Sequence, residues 1–229
     1  VARAEQQTAD TQPFATIPVG KAVVVLRRGG SLAVREGDRD LISGTSLVVA
    51  APGWRSSVDQ GSARTAEGYP RREGDAFVLK GEMTETTGTL WRFEHRVTPE
   101  GRAVRVTYDV QPVTDADVGE VPVFVDLPVS EWSGKDVLLL PTAKGVFPTE
   151  ATGARHFLTG AAKMAVLGDL RTGQLTLTFT KPTQCTVQDT RDMGGKSYQI
   201  YPRVISGGKI RAGEVHRLEF VLTPADPKQ

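Results

Sequence analysis

The three histidines of this 229-residue chain are the first side chains to consider for acid–base chemistry. His156 follows Arg155 in the turn-like segment GARHFLTG, and it is the best candidate for a general acid or base. His95 and His216 alternate with apolar residues, which favours buried or strand-edge positions with a satisfied hydrogen bond. No two histidines have the spacing of transition-metal ligands, so the sequence predicts no metal site and gives no sign of a cofactor.

The segment QDTRDMGG, residues 188–195, concentrates charge beside a pair of glycines. Asp189 and Arg191 are candidate ligand-binding residues, because an aspartate–arginine pair can hydrogen-bond to sugar hydroxyls. Calcium is a weaker hypothesis, since the ion needs about six to eight oxygen ligands and the segment lacks the spaced acids of known calcium loops. The alternative is structural: Arg191 lies between Asp189 and Asp192, and an ion pair there can hold a loop without any ligand. The sequence favours the structural alternative.

Two tryptophans in turn-like, polar contexts are further candidates for ligand binding. Trp54 lies in APGWRSS and Trp132 in VSEWSGK, whereas Trp91 is in phase with apolar strand residues and is predicted to be buried. Sugar rings can stack on an exposed aromatic face while neighbouring polar groups bind the hydroxyls. The alternative is that both side chains cap the open end of the fold.

The remaining nucleophiles and acids show no catalytic pattern. Cys185 is the only cysteine, which excludes an intrachain disulfide and favours a small buried side chain over a nucleophile. A pair of carboxylates for glycoside hydrolysis must face each other about 5 to 9.5 Å apart, and a sequence cannot show that convergence. The acids available for such a pair are Glu82, Glu85, Asp126, Glu131 and Glu150.

Apolar residues recur with a period of two along most of the chain, and no helix longer than two turns is predicted. The 24 glycines and 14 prolines divide the chain into short strands, as is typical of β-sandwiches. Without helices to cover a parallel sheet, these strands predict an all-β fold: a large antiparallel two-sheet β-sandwich. The predicted strands cover residues 21–26, 31–35, 46–50, 76–83, 89–97, 102–110, 122–128, 136–140, 163–167, 174–180, 186–188, 197–204 and 214–222.

The clearest predicted hairpin is TLWRFEHRV-TPEG-RAVRVTYDV. A four-residue turn over TPEG would place Val97 opposite Arg102, with Phe93 on an apolar inner face. The same register would place Glu94 opposite Arg105 as an ion pair on the outer face. Two further hairpins are predicted, one over residues 163–180 and one over residues 209–222.

The charge balance and the chain ends restrict the class of protein. The 28 basic and 27 acidic residues give a net charge of +1, which argues against a nucleic-acid or anionic-membrane surface. No apolar run approaches the ~20 residues that a membrane-spanning helix needs. We expect a flexible leader over residues 1–12, a single β-sandwich domain over residues 13–224 and a linker-like tail over residues 225–229.

The order of segments in residues 75–224 resembles the galactose-mutarotase-like β-supersandwich domains of bacterial glycoside hydrolases and polysaccharide lyases. The resemblance rests on LWRFEHRVTPEGRAVRVTYDV, VPVFVDLPVSEWSG, QLTLTFT, VQDTRDMGGKSYQIYPRV and KIRAGEVHRLEFVLTP, in that order. It implies a carbohydrate-related role, because members include sugar epimerases with a histidine acid and a glutamate base, lyases, and non-catalytic domains beside a catalytic barrel. No histidine here lies in a context that matches the catalytic motifs of the epimerases.

These observations favour a non-catalytic, carbohydrate-associated domain of a secreted or periplasmic polysaccharide-processing protein. The expected partners are a carbohydrate and a catalytic domain in the same polypeptide. Two alternatives stay open. One is a stand-alone carbohydrate-active enzyme, namely an epimerase, glycoside hydrolase or lyase that uses His156 with a carboxylate. The other is a structural or adhesive envelope domain.

Overall fold

The computed structural model describes residues 12–65, 69–168 and 174–224. Strands make up 67% and helices 6% of these residues, so the predicted all-β, two-sheet antiparallel sandwich is confirmed. Nearly all of the predicted leader and the whole predicted tail lie outside the described residues. Within the described part, no helix is long and apolar enough to cross a membrane.

The described residues form twenty strands and one short α-helix, α1 (Val129–Trp132). The strands are β1 (Pro13–Val19), β2 (Ala22–Arg27), β3 (Leu32–Glu36), β4 (Arg39–Ile42), β5 (Gly44–Ala50), β6 (Ser57–Asp59), β7 (Arg64–Thr65), β8 (Arg71–Glu73), β9 (Ala76–Thr84), β10 (Leu90–Glu100), β11 (Ala103–Pro112), β12 (Ala116–Val118), β13 (Val121–Pro128), β14 (Asp136–Pro141), β15 (Ala143–Val146), β16 (His156–Leu167), β17 (Leu175–Asp189), β18 (Ser197–Ile205), β19 (Gly208–Ile210) and β20 (His216–Pro224).

One long sheet supplies both layers of the sandwich. Its strands run in the order β6-β5-β13-β18-β17-β20-β11-β10-β9-β7, and β1 to β4 form a separate four-stranded sheet. The strand β17 belongs to both layers, since Cys185–Asp189 pairs with β18 and Leu175–Phe179 pairs with β20. We call β5, β13, β18 and the C-terminal half of β17 the first layer, and β7, β9, β10, β11 and β20 the second layer. Apolar side chains from both layers belong to one buried cluster.

The register predicted for the hairpin is wrong, although the predicted faces are correct. Val97 pairs with Val106, four residues beyond the predicted Arg102. The turn is tighter than predicted, because Glu100 pairs with Ala103 and Pro99 lies within β10. An even shift leaves every side chain on its original face, so the side chains predicted to be inward remain buried: Trp91, Phe93, Val104, Val106 and Tyr108.

The predicted cross-strand ion pair is also wrong, and its acid and base find other partners. Glu94 lies opposite Asp109 and forms ion pairs with Lys80 and Arg96. Arg105 instead binds two other acids, Glu100 on its own hairpin and Glu219 on β20. An exposed sheet face offers several partners to each long side chain, which is why strand phase alone did not determine the pairing.

Two of the other predicted segments connect differently from the prediction. The two strands predicted over residues 174–180 and 186–188 are one strand, β17, which begins at Leu175. The hairpin predicted over residues 209–222 is wrong, because β19 pairs with β12 rather than with β20. The hairpin predicted over residues 163–180 is confirmed where Leu167 pairs with Leu175.

Candidate functional site

The first layer and the segments next to it carry a group of aromatic and charged side chains on the face that does not contribute to the core. We call this group the aromatic–polar face: Trp54, Glu120, Phe124, His156, Tyr201 and Arg203. Strand alternation creates it, because Ile200 on β18 and Val187 on β17 point into the core. Their neighbours Tyr201 and Thr186 pair across the two strands and point to the opposite side.

Three aromatic rings form the apolar part of the face. Phe124 lies between the other two, with its ring centroid 5.1 Å from that of Tyr201 and 6.1 Å from that of Trp54. Trp54 ends a short 3₁₀ turn with a φ of 56°, a left-handed conformation unusual for a tryptophan. Its side chain is 38% exposed, so part of the ring is open to solvent.

A buried carboxylate connects the exposed tryptophan to a partly buried arginine. Glu120 Oε1 accepts a hydrogen bond from Trp54 Nε1 (2.7 Å), and Glu120 Oε2 accepts one from Arg203 Nε. Arg203 also donates to Thr186 Oγ1 (3.0 Å), and its guanidinium lies 5.2 Å from the Tyr201 ring centroid. These contacts fix the orientation of the indole ring, and a preorganised ring loses less entropy when a ligand stacks on it.

The structure places His156 at this face, beside Tyr201. Its Nε2 shares a hydrogen bond of 3.1 Å with the Tyr201 hydroxyl. Burial lowers the pKa of His156 below its usual value, and the positive charge of Arg155 lowers it further. His156 is therefore neutral near pH 7, which leaves it able to accept a proton. Its predicted role as a general acid or base stays a prediction.

A chain of hydrogen bonds leads from the surface to a partly buried acid that the sequence did not single out. Arg155 Nε donates to Gln188 Oε1 (3.1 Å), and Gln188 Nε2 donates to Gln199 Oε1. Gln199 Nε2 then donates to Asp126 Oδ1 (2.7 Å). Burial raises the pKa of Asp126, although the hydrogen bonds from Gln199 and Ser197 oppose this shift. Among the described residues no cation forms an ion pair with this carboxylate.

The expectation that Trp132 is available to a ligand is wrong. The side chain is fully buried, and its Nε1 donates to the Leu41 carbonyl at 2.8 Å. Its ring packs 6.1 Å from that of Phe147, and helix α1 turns it inward while Glu131 faces Arg39 and Lys135. The polar neighbours in sequence therefore belong to the outer side of a single helical turn.

Asp189 and Arg191 form the structural ion pair that was the alternative hypothesis. Asp189 is fully buried, and Arg191 Nη2 donates to its Oδ2 at 2.6 Å. Burial alone would raise the pKa of Asp189, but hydrogen bonds from the Arg191 side chain and backbone lower it. Arg191 also donates to the carbonyls of Thr149 (2.9 Å) and Pro148 (2.8 Å), which attaches two loops to each other. These contacts occupy the guanidinium nitrogens of Arg191 that a sugar would need. The other acid of the segment, Asp192, is exposed.

Two other expectations concern reactive groups and metals. Cys185 is buried, and burial raises the pKa of its thiol to about 12, so the thiolate is scarce at neutral pH. In residues 12–65, 69–168 and 174–224 no group of three or more histidine, cysteine or acidic side chains could hold a metal ion.

A cavity of about 590 Å³ lies away from these residues, on strands β7, β9, β10 and β11 of the second layer. Charged side chains line it and pair with each other, as in the 2.9 Å contact of Arg92 with Glu82 and the 3.1 Å contact of Lys80 with Glu94. It includes none of the residues predicted to bind a ligand. Arg64 also lines the cavity and has no ion pair with an acid in the described residues, but the other charges that line it are paired, and for that reason we do not place the candidate site there.

By sequence, the chain matches no family model and no curated protein. By structure, it is similar to a galactose mutarotase related enzyme from Lactobacillus acidophilus, with 10% identity, a TM-score of 0.61, and coverage of 93% of this chain and 97% of that one. A galactose mutarotase-like protein from Clostridium acetobutylicum gives 9% identity, a TM-score of 0.56, and coverage of 90% and 93%. The chain therefore has the galactose-mutarotase-like β-supersandwich fold, as the resemblance implied.

A longer enzyme contains the same fold as one of its parts. The 4-alpha-glucanotransferase from Thermococcus litoralis gives 8% identity and a TM-score of 0.56, and the similar region covers 97% of this chain but 41% of that one. At such low identities the similarity defines a fold and not an activity.

Proposed function

We propose that this chain is a non-catalytic carbohydrate-binding domain of the galactose-mutarotase-like fold, and that the aromatic–polar face is its binding site. The observation that carries the proposal is Trp54, a partly exposed indole held in place by Glu120 and backed by Phe124 and Tyr201. Because an ordered ring beside charged groups offers both stacking and hydrogen bonds, this arrangement suits a sugar ring with hydroxyls at its edge.

The proposal extends to a secreted or periplasmic protein in which a catalytic domain shares the polypeptide. The glucanotransferase supports the shared polypeptide, because there a region of this fold is part of a longer enzyme chain. The absence of a matched histidine–glutamate motif in the sequence supports the non-catalytic role.

The test compares two exposed aromatic residues in different parts of the molecule. Trp54 and Phe14 have similar exposures, 38% and 37%, but Phe14 packs on Phe77 rather than on the aromatic–polar face. We expect Trp54→Ala to weaken binding to the best glycan of a polysaccharide panel by about tenfold or more, equivalent to ~1.4 kcal/mol. Phe14→Ala should leave that affinity within about twofold. Equal losses from both variants, or binding to no glycan at all, would reject the site and favour a structural or adhesive role.

A second candidate function is a stand-alone carbohydrate-active enzyme, and Asp126 is the observation that favours it. Enzymes often raise the pKa of an acid so that it can exchange protons near neutral pH, and Asp126 is a partly buried acid whose pKa is raised. NMR exchange between the anomers of common aldohexoses would detect epimerase activity. A rate above buffer that Asp126→Asn and His156→Gln both abolish would support this candidate, and a rate equal to buffer would exclude it for those sugars.

A further inference from the structure

The charges of the aromatic–polar face lead to a more specific ligand class. We propose that its ligand is an anionic saccharide, which carries carboxylate or sulfate groups, and that Arg155 binds the anionic group. This inference rests on the proposed carbohydrate-binding function of the same face.

Two guanidinium groups and one carboxylate surround the paired side chains of His156 and Tyr201. The positive charges of Arg155 and Arg203 lower the pKa values of His156 and Tyr201, whereas the negative charge of Glu120 raises them. Glu120 forms its ion pair with Arg203, which neutralises that guanidinium. Arg155, which adjoins the aromatic–polar face at His156, has no such acidic partner in the described residues.

The side chain of Arg155 is oriented but not neutralised. It is exposed, and its Nε donates to the neutral amide oxygen of Gln188 at 3.1 Å. No acidic residue in the described ranges forms an ion pair with it. The terminal nitrogens therefore remain for a bidentate contact, the geometry in which arginine binds carboxylate or sulfate groups most strongly.

The backbone of Arg155 is hydrogen-bonded to the neighbouring strand β17. Its carbonyl accepts a hydrogen bond of 2.9 Å from the Asp189 amide, and the next residue, His156, pairs with Gln188 on β17. A fixed backbone and an anchored Nε reduce the entropy lost when the guanidinium binds an anion. Phe124 and Tyr201 connect Trp54 to His156, the residue next to Arg155, so a ligand long enough to reach both would stack on the indole and place its charge at Arg155.

The experiment uses the 229-residue chain with three probes: oligogalacturonate for carboxylates, dextran sulfate for sulfates, and dextran as the neutral control. The variants are Arg155→Gln and Arg64→Gln. Arg64 is a matched control because it is exposed, lies on β7 of the second layer, and forms no ion pair with an acid in the described residues. Thermal melting would check that both variants are folded.

We expect at least one anionic probe to bind about tenfold or more tightly than dextran, with an affinity that falls as salt is raised. Arg155→Gln should weaken that affinity about tenfold, whereas Arg64→Gln should change it less than twofold. Preference for oligogalacturonate or for dextran sulfate would identify the anionic group.

Other outcomes would overturn the inference in distinguishable ways. Tight, Trp54-dependent binding of dextran that Arg155→Gln leaves unchanged would refute the anionic ligand but keep the proposed function. Equal losses from Arg155→Gln and Arg64→Gln would show diffuse attraction to the whole protein rather than a site. Binding of none of the three probes, together with a negative polysaccharide panel, would refute both proposals.

Discussion

Acid should destabilise this protein through His95, a histidine buried between the two layers. The side chain is 1% exposed, and its ring stacks on that of Tyr108 with centroids 4.2 Å apart and planes inclined by 8°. Its Nε2 has no hydrogen-bond partner among the described residues. Burial lowers the pKa of His95 from 6.5 to about 3, because a charged imidazolium would lose its hydration there.

The direction and size of the effect follow from this pKa difference. The unfolded chain binds a proton at His95 below pH 6.5, whereas the folded protein does not until about pH 3. The folded state is therefore fully stabilised by neutral His95 above pH 6.5 and loses this stability as the pH falls towards 3. At pH 5 the loss is about 2 kcal/mol, and it approaches about 5 kcal/mol below pH 3.

Urea unfolding of the parent chain and of a His95→Phe variant at pH 7.5 and pH 5 would measure this loss. Acids such as Asp189 also change stability with pH, so the quantity of interest is the difference between the two proteins in their change from pH 7.5 to pH 5. The variant should lose about 2 kcal/mol less than the parent chain. Any constant cost of fitting the larger ring cancels in this comparison. Equal pH dependence in both proteins would refute the buried, neutral His95.

Two further predictions concern the structural ion pair and the hairpin. Arg191→Ala should lower the free energy of unfolding in urea by about 3 kcal/mol or more, because it leaves the buried Asp189 unpaired. Asp192→Ala, at the exposed neighbouring position, should lower it by less than ~0.5 kcal/mol. A stable Arg191→Ala protein that no longer binds a demonstrated glycan would show that Arg191 is a ligand residue after all. Phe93→Ala should lower the free energy of unfolding by about 3 to 5 kcal/mol, because it truncates a core side chain. Arg105→Ala should lower it by at most ~1 kcal/mol, because the ion pairs of Arg105 are partly exposed. Similar small effects from both variants would mean that the hairpin faces are misassigned.

The hairpin shows how far strand phase can specify a structure. The apolar positions of β10 and β11 predicted both the strands and the buried faces, because burial acts on every second residue. They did not predict the register, since Val97 opposite Arg102 and Val97 opposite Val106 bury the same side chains. The tighter turn and the partners on β9 and β20 selected between these registers.

The candidate site could be predicted only in part. The sequence selected Trp54 and His156 from their turn-like surroundings, and both lie at the aromatic–polar face. It also selected Trp132, although a single helical turn buries that side chain. Tyr201 was missed, and Asp126 was named only as one of five acids available for a carboxylate pair. Their out-of-phase positions on predicted strands were visible, but nothing in the sequence showed that those strands are neighbours.

The sequence by itself determined the fold class, the buried faces and the charge balance, because these depend on local periodicity and composition. The tertiary structure alone decided which polar residues meet. Trp54, Glu120 and Arg203 come from separate segments, and they form one face because β13 pairs with β5 on one side and with β18 on the other. Side chains on the outer face of a sheet are brought together by strand order, and strand order depends on the packing of the whole chain rather than on any one segment.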